Sequence, residues 1–284
     1  MYLPRQHPHG NGVKLYTMPM IDWWWAYLAL GAFVGFFAGL LGVGGGAAMV
    51  PVLAFIYAAK QFAPAHVVHL ALGTSMATIL FTSVSSVRTH QQHGAVNWLI
   101  VKKMVAGIII GTFGGALLAS VLDVRLLTLC FTTLIYYVSA QMMFGSKPQP
   151  GTLPQTAAGA SITAAGIGII SSLTATGGAS LVVAYLVKRG TRIHEAIGTA
   201  AAIGWPLAAA GTTGYVIAGW GKSGLPEYSL GYVYVPALAI IVIASILLAP
   251  LGARLAHRTP GALLKKIFAV VLFVLATKML VSFL

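Results

Sequence analysis

The chain has 284 residues, of which 58% are hydrophobic and 7% charged, with a mean hydropathy of +0.88. A soluble domain carries about 25% charged residues, so this composition excludes an ordinary soluble enzyme, a disordered chain and a coiled coil, and makes lipid the solvent. Seventeen Lys and Arg stand against four acids (Asp22, Asp123, Glu195 and Glu227), a formal charge of +13. These charges sit at the ends of apolar runs, which points to lipid headgroups and an anionic solute rather than to nucleic acid.

Residues 1–22 form a polar tail that lacks the pattern of a cleavable signal. Asp22-Trp23-Trp24-Trp25 then reads as an interfacial aromatic anchor. A crossing helix needs about 20 mainly apolar residues. The run 24–59 would be about 54 Å long as one helix, too long for a single crossing, and it is cut by Gly42-Val43-Gly44-Gly45-Gly46. Apolar runs follow at 66–87, 104–122 and 126–144. A second interrupted run, 156–187, is cut between Ser171 and Gly178, and further runs cover 196–219, 231–249 and 265–284. The short loops hold most of the charge. The single cysteine, Cys130, excludes an intramolecular disulfide.

The order of these elements repeats. Gly45-Gly46-Ala47 matches Gly177-Gly178-Ala179, and His69-Leu70-Ala71-Leu72-Gly73-Thr74 matches His194-Glu195-Ala196-Ile197-Gly198-Thr199. The expected fold is an all-α integral membrane protein with transmembrane repeats at 23–145 and 156–284, joined by a linker at 146–155. Each repeat is a broken helix followed by three transmembrane helices.

Charge chooses how the repeats are related. With Lys278, inside the last apolar run, left out, seven basic residues lie on the N-terminal side and nine on the other if each broken run crosses once. If each broken run folds back as a hairpin, Arg5, Lys14, Lys60, Arg125 and Lys222 lie on the N-terminal side and eleven lie opposite. The positive-inside rule favours the second arrangement. It makes the repeats inverted and places both termini outside a cell (inner) membrane.

Paired interruptions at corresponding positions mark a transporter's binding site. Bare backbone is costly in hydrocarbon unless it lines a cavity or packs on protein, and helix starts near Ala47 and Ala179 direct free amides at the breaks. Gly44, Gly45, Gly46, Gly177 and Gly178 are therefore candidate backbone ligands for an anion. Thr74, Ser75, Thr176 and Thr199 are candidate hydroxyl donors. Close packing through small residues also accounts for glycines here, and a Thr in a helix often bonds its own preceding turn. Arg88 is a candidate gate. His69, His194 and Glu195 are candidates for coupling, although His residues at helix starts also suit the membrane interface.

Walker, H-E-x-x-H and G-x-S-x-G motifs are missing. His66/His69 and His90/His93 lack an acid or Cys to complete a metal set. Neither a cofactor, a metal nor an enzymatic activity is expected. An intramembrane enzyme built on His69, His194 and Glu195 would still need a nucleophile.

Gly39-Leu40-Leu41-Gly42-Val43-Gly44-Gly45-Gly46 with Val50-Pro51, together with Ala71-Leu72-Gly73-Thr74-Ser75, Ala196-Ile197-Gly198-Thr199 and Leu251-Gly252-Ala253-Arg254-Leu255-Ala256, resembles the TauE/SafE sulfite exporter family, also described as toluenesulfonate uptake permeases. The resemblance covers residues 25–284. It implies a membrane transporter of about eight helices for sulfite, sulfoacetate or other small sulfur-containing anions. The second break departs from the family pattern, with Thr174-Ala175-Thr176 ahead of Gly177-Gly178 and Val183 where the first half has Pro51. Few membrane acids and an inside-negative potential favour a secondary transporter or facilitator working as an exporter. Uptake of an organosulfonate, a carboxylate or another inorganic anion is the alternative. The coupling ion is H+ or Na+. The sequence leaves the oligomeric state open.

Overall fold

The computed structural model describes residues 23–41, 46–144, 156–256 and 261–284. The tail 1–22, the linker 146–155, and Gly44 and Gly45 of the first break lie outside the described residues. Among the described residues, ten helices follow one another: α1 (Trp24–Leu41), α2 (Gly46–Ala59), α3 (Val67–Gln92), α4 (Trp98–Val121), α5 (Val124–Phe144), α6 (Ala157–Thr174), α7 (Ala179–Lys188), α8 (Ile193–Gly219), α9 (Val235–Ala256) and α10 (Gly261–Phe283). A two-residue antiparallel pair, β1 (Ser229–Leu230) and β2 (Val233–Tyr234), precedes α9. Among the described residues, the helical segments Val67–Gln92, Trp98–Val121, Val124–Phe144 and Lys266–Phe283 are long and apolar enough to cross a membrane. The protein is an all-α, multi-span membrane protein.

Two boundaries differ from expectation. The stretch Arg88–Lys103 was expected to be a loop, yet α3 continues to Gln92 and α4 begins at Trp98. Asn97 is the reason for the early start: its side chain accepts from the Leu99 and Ile100 amides, at 3.1 and 3.2 Å, which caps the helix. Arg88, Lys102 and Lys103 therefore stand on helical turns.

The helices pair through small residues, which let backbones approach closely where lipid supplies no hydrophobic drive between helices. Along α1 and α9, Gly31 lies under the Ile241 carbonyl and Ala244, and Gly35 against the backbone of Ser245. The Ser245 hydroxyl donates to the Gly31 carbonyl at 2.9 Å. Along α4 and α6, Gly107, Gly111 and Gly115 meet Ser161, Ala165 and Ile169 in turn. Both pairs climb in the same direction, so each is parallel. In α3 and α8, Gly73 meets Tyr215, Gly211 meets Met76, and Gly198 lies against Ala95 just beyond the end of α3. The two central helices are therefore antiparallel. On α5 and α10, Tyr136 and Thr277 share a 2.9 Å hydrogen bond.

The ends of the broken runs are close together. Lys60, just after α2, places its ammonium 3.4 Å from the Tyr234 hydroxyl and 5.7 Å from the ring centre of Tyr27 in the first turn of α1. The residue after α2 thus lies beside the first turn of α1. Position 90, near the end of α3, lies at the opposite end of the bundle.

The α4–α6 seam supplies a controlled test. A methyl at Gly111 would overlap the Ala165 carbonyl, whereas one at Gly114 meets nothing within 4 Å. Gly111→Ala is expected to lower the Tm of purified protein, by about 1–3 kcal/mol of overpacking. Gly114→Ala should leave it unchanged or higher.

Candidate functional site

The two breaks meet. Gly46 opens α2 with its Cα against the carbonyl of Ala175, and a Cβ there would also collide with the side chain of Ile79, whose Cδ1 would lie 2.6 Å away. Gly177 faces the same isoleucine, and Gly204 of α8 looks onto the Gly177 carbonyl. Ile79 of α3 therefore wedges where the breaks come together. The second break is built from left-handed residues: Ala175 (φ 46°), Gly177 (φ 71°) and Gly178 (φ 67°). Gly178 is the N-cap of α7 and offers no side chain to its first amides. Those amides have no acceptor within the helix and carry its partial positive charge.

Hydroxyls gather around this point. Thr174 and Thr176 lie 3.1 Å apart and are buried. The Ser171 hydroxyl would sit 2.9 Å from a Cβ at Gly178, so it lies beside the start of α7. It is buried and has no hydrogen-bond partner. Ser75, one turn before Ile79, is likewise buried with an unpartnered hydroxyl. Buried polar groups in native proteins are normally satisfied, so these two hydroxyls are competent to donate to a guest. Ser171 was not singled out in the sequence. Its signal is its place three residues before Thr174, at the edge of the break.

The remaining candidates are placed elsewhere. Thr74 precedes Ile79, and Thr199 precedes Gly204, by about one and a half turns each. Both hydroxyls tie one helix to a loop. Thr74 accepts from the Tyr234 amide at 3.0 Å and from the Tyr57 hydroxyl at 3.2 Å. Thr199 accepts from the Asn97 amide at 3.0 Å. Asn97 also donates through its side chain to Glu195 at 2.6 Å. The glycines beside the two threonines complete a matched pair of clasps: Gly73 abuts the Tyr232 carbonyl and Gly198 the Ala95 carbonyl. Each clasp grips the residues immediately before α9 or α4.

His69 and His194 occupy matched positions in unlike surroundings. His69 is buried, stacks on Tyr232 and hydrogen-bonds the Ala119 carbonyl at 3.1 Å, whereas His194 is exposed. Arg88 lines a separate cavity between α3, α4 and α8. No metal-competent group of His, Cys, Asp or Glu occurs among the described residues.

A family model described as sulfite exporter TauE/SafE matches residues 27–279. The chain belongs to the TauE/SafE family. It is 35% identical to a probable membrane transporter protein of Haemophilus influenzae over 253 residues, covering 89% of this chain and 96% of that one. It is 25% identical to the probable membrane transporter protein YdhB of Bacillus subtilis (82% of this chain, 90% of that one). A probable membrane transporter protein of Methanocaldococcus jannaschii is also 25% identical (80% and 84%). No solved structure matches. This TauE/SafE protein is a membrane transporter.

The clasps make a structural prediction. Thr199→Val leaves the Asn97 amide without its acceptor, which should destabilise the fold by about 1–3 kcal/mol, and Thr74→Val does the same to Tyr234. Thr→Ser at either position keeps the acceptor and should restore the Tm in a thermal-shift measurement.

Proposed function

We propose that this transporter carries small sulfur-containing anions such as sulfite, sulfoacetate or other organosulfonates. It works as a secondary transporter or facilitator directed outward, by alternating access around the meeting point of the two helix breaks. The observation that carries the reading is that meeting point: the start of α2 rests on Ala175 of the second break, the unpartnered Ser171 hydroxyl lies beside the start of α7, and the unpartnered Ser75 stands one turn from Ile79. In this reading the anion is held by amides at Gly46, Gly177 and Gly178 and by the hydroxyls of Ser75, Ser171 and Thr176. Helix N-termini favour anions without a buried cation, which suits a site that must release its cargo.

The fold is read as two inverted repeats, each a Gly-broken hairpin plus three transmembrane helices. The support is reciprocity. The first helix of each half packs on the fourth helix of the other, α1 on α9 and α6 on α4, and the two third helices are antiparallel. The Thr74 clasp grips the residue before α9, and the Thr199 clasp the residue before α4. The clasps thus sit at opposite ends of the bundle, where an alternating-access carrier must open one end at a time. With five basic residues at the end holding the termini and eleven at the other, the positive-inside rule puts both termini outside.

The second break carries the carbonyls of Ala175 and Gly177 and the paired hydroxyls of Thr174 and Thr176, and unwound helices offer such oxygens to Na+. Glu195 is engaged by Asn97 at the cation-rich end, which favours Na+ over H+ for any coupled uptake. Without coupling, an anion leaves down the inside-negative potential, worth about 2.3 kcal/mol per 100 mV and unit charge.

Flux into liposomes tests the reading. Sulfite or sulfoacetate should move faster than taurine or chloride, and a Na+ gradient should alter the rate more than a pH gradient. No flux of any of them from folded protein overturns it. Ser171→Ala breaks no hydrogen bond seen here and should leave the Tm unchanged. It should weaken apparent affinity about tenfold or more, the worth of a hydrogen bond to a charged group.

A further inference from the structure

A cavity of about 390 Å³ lies between α3, α4 and α8, lined by Val84, Val87 and Arg88, by Trp98 and Val101, and by Trp205 with its neighbours on α8. Its wall is apolar, and Arg88, which lines it and is exposed, makes no ion pair or hydrogen bond through its guanidinium among the described residues. Trp98 and Trp205 are each about half exposed (46% and 47%). The Trp98 indole is held by a 2.8 Å hydrogen bond to Gln91, so this wall is fixed in place.

The cavity faces away from the breaks. Arg88 follows Ile79 by nine residues, about two and a half turns, and so stands on the opposite face of α3. Pro206 on the cavity wall is likewise turned from Gly204 across α8. The cavity also has no counterpart in charge. Thr213 holds the position in α8 that Arg88 holds in α3, at the offset relating His69 to His194, and its hydroxyl is spent on the Ala209 carbonyl. The cation is confined to the end of the bundle that also carries Lys102, Lys103, Lys188 and Arg192.

We propose that this cavity is a binding site for an anionic phospholipid of the leaflet at the cation-rich end. Arg88 takes the phosphate, and the valines with Trp98 and Trp205 take the upper part of an acyl chain. Three features select this occupant over a water-soluble anion. The wall is apolar rather than hydroxyl-lined, two half-exposed tryptophans stand at its rim as they do at membrane interfaces, and an unpaired cation meets a negatively charged leaflet. Basic pockets between transmembrane helices are the recurrent form of such sites. The cavity is smaller than a whole phospholipid, so the rest of the lipid stays in the bilayer. The inference rests on the chain spanning a membrane, not on the identity of the transported anion.

Native mass spectrometry of the full chain in mild detergent tests it, with phosphatidylglycerol and phosphatidylcholine as competing probes. Wild type should retain phosphatidylglycerol about fivefold in preference, the equivalent of about 1 kcal/mol for one cation at a charged leaflet. Arg88→Gln should abolish the preference, while Lys222→Gln, which removes the same charge from the opposite end, should keep it. Ala202→Leu, which fills the cavity, should displace the lipid without removing a charge. Sulfite or inorganic phosphate at millimolar concentration should not compete. Equal retention of the two lipids, an unchanged preference in Arg88→Gln, or displacement of phosphatidylglycerol by sulfite would overturn the proposal, the last by making the cavity a vestibule for the soluble anion. A thermal-shift measurement of each variant without lipid shows that the variants are folded.

Discussion

A helix that stops inside a membrane leaves amides and carbonyls with nowhere to turn but the same protein. In this protein two such stops shield each other. Gly46 can rest on the Ala175 carbonyl only because it has no side chain, and Ile79 closes the space beside both. The second break turns through Gly177 and Gly178 in the left-handed region before α7 begins. The pairing of α1 with α9 and of α4 with α6 follows the same economy of side chains, with glycines or serines wherever two backbones approach. The packing that hides the backbone is also the packing that assembles a polar centre.

Much of this was legible in the sequence. The breaks announced themselves as glycine clusters inside apolar runs too long to cross once. The matched His-x4-Thr segments gave the order of elements, and they correspond to α3 and α8. What could not be read was the use of the matched threonines. A Thr in an apolar helix looks the same whether it awaits a ligand or holds a loop. Only the approach of Tyr234 and Asn97, 160 and 102 residues away along the chain, distinguishes the two. The same holds for Asn97, an ordinary helix cap by sequence that also bridges to Glu195. Ser171 and the cavity beside Arg88 were hidden for a related reason, since both depend on which helix faces come together rather than on any local pattern.

The clasps and the breaks divide the work. Ser75 and Ser171, buried near the breaks, have no protein partner, and a guest could satisfy them. Thr74 and Thr199 are engaged by backbone amides of the residues before α9 and α4.

Ile79 and Gly204 occupy equal offsets in α3 and α8, yet one fills the space at the breaks and the other leaves it empty. If the halves descend from one ancestral segment that paired with itself, neither present half could resume that life. Two copies of the first would drive a pair of isoleucines into one gap, and two copies of the second would leave a hole with nothing to fill it. At the breaks, Ile79 fills the space that Gly204 leaves open.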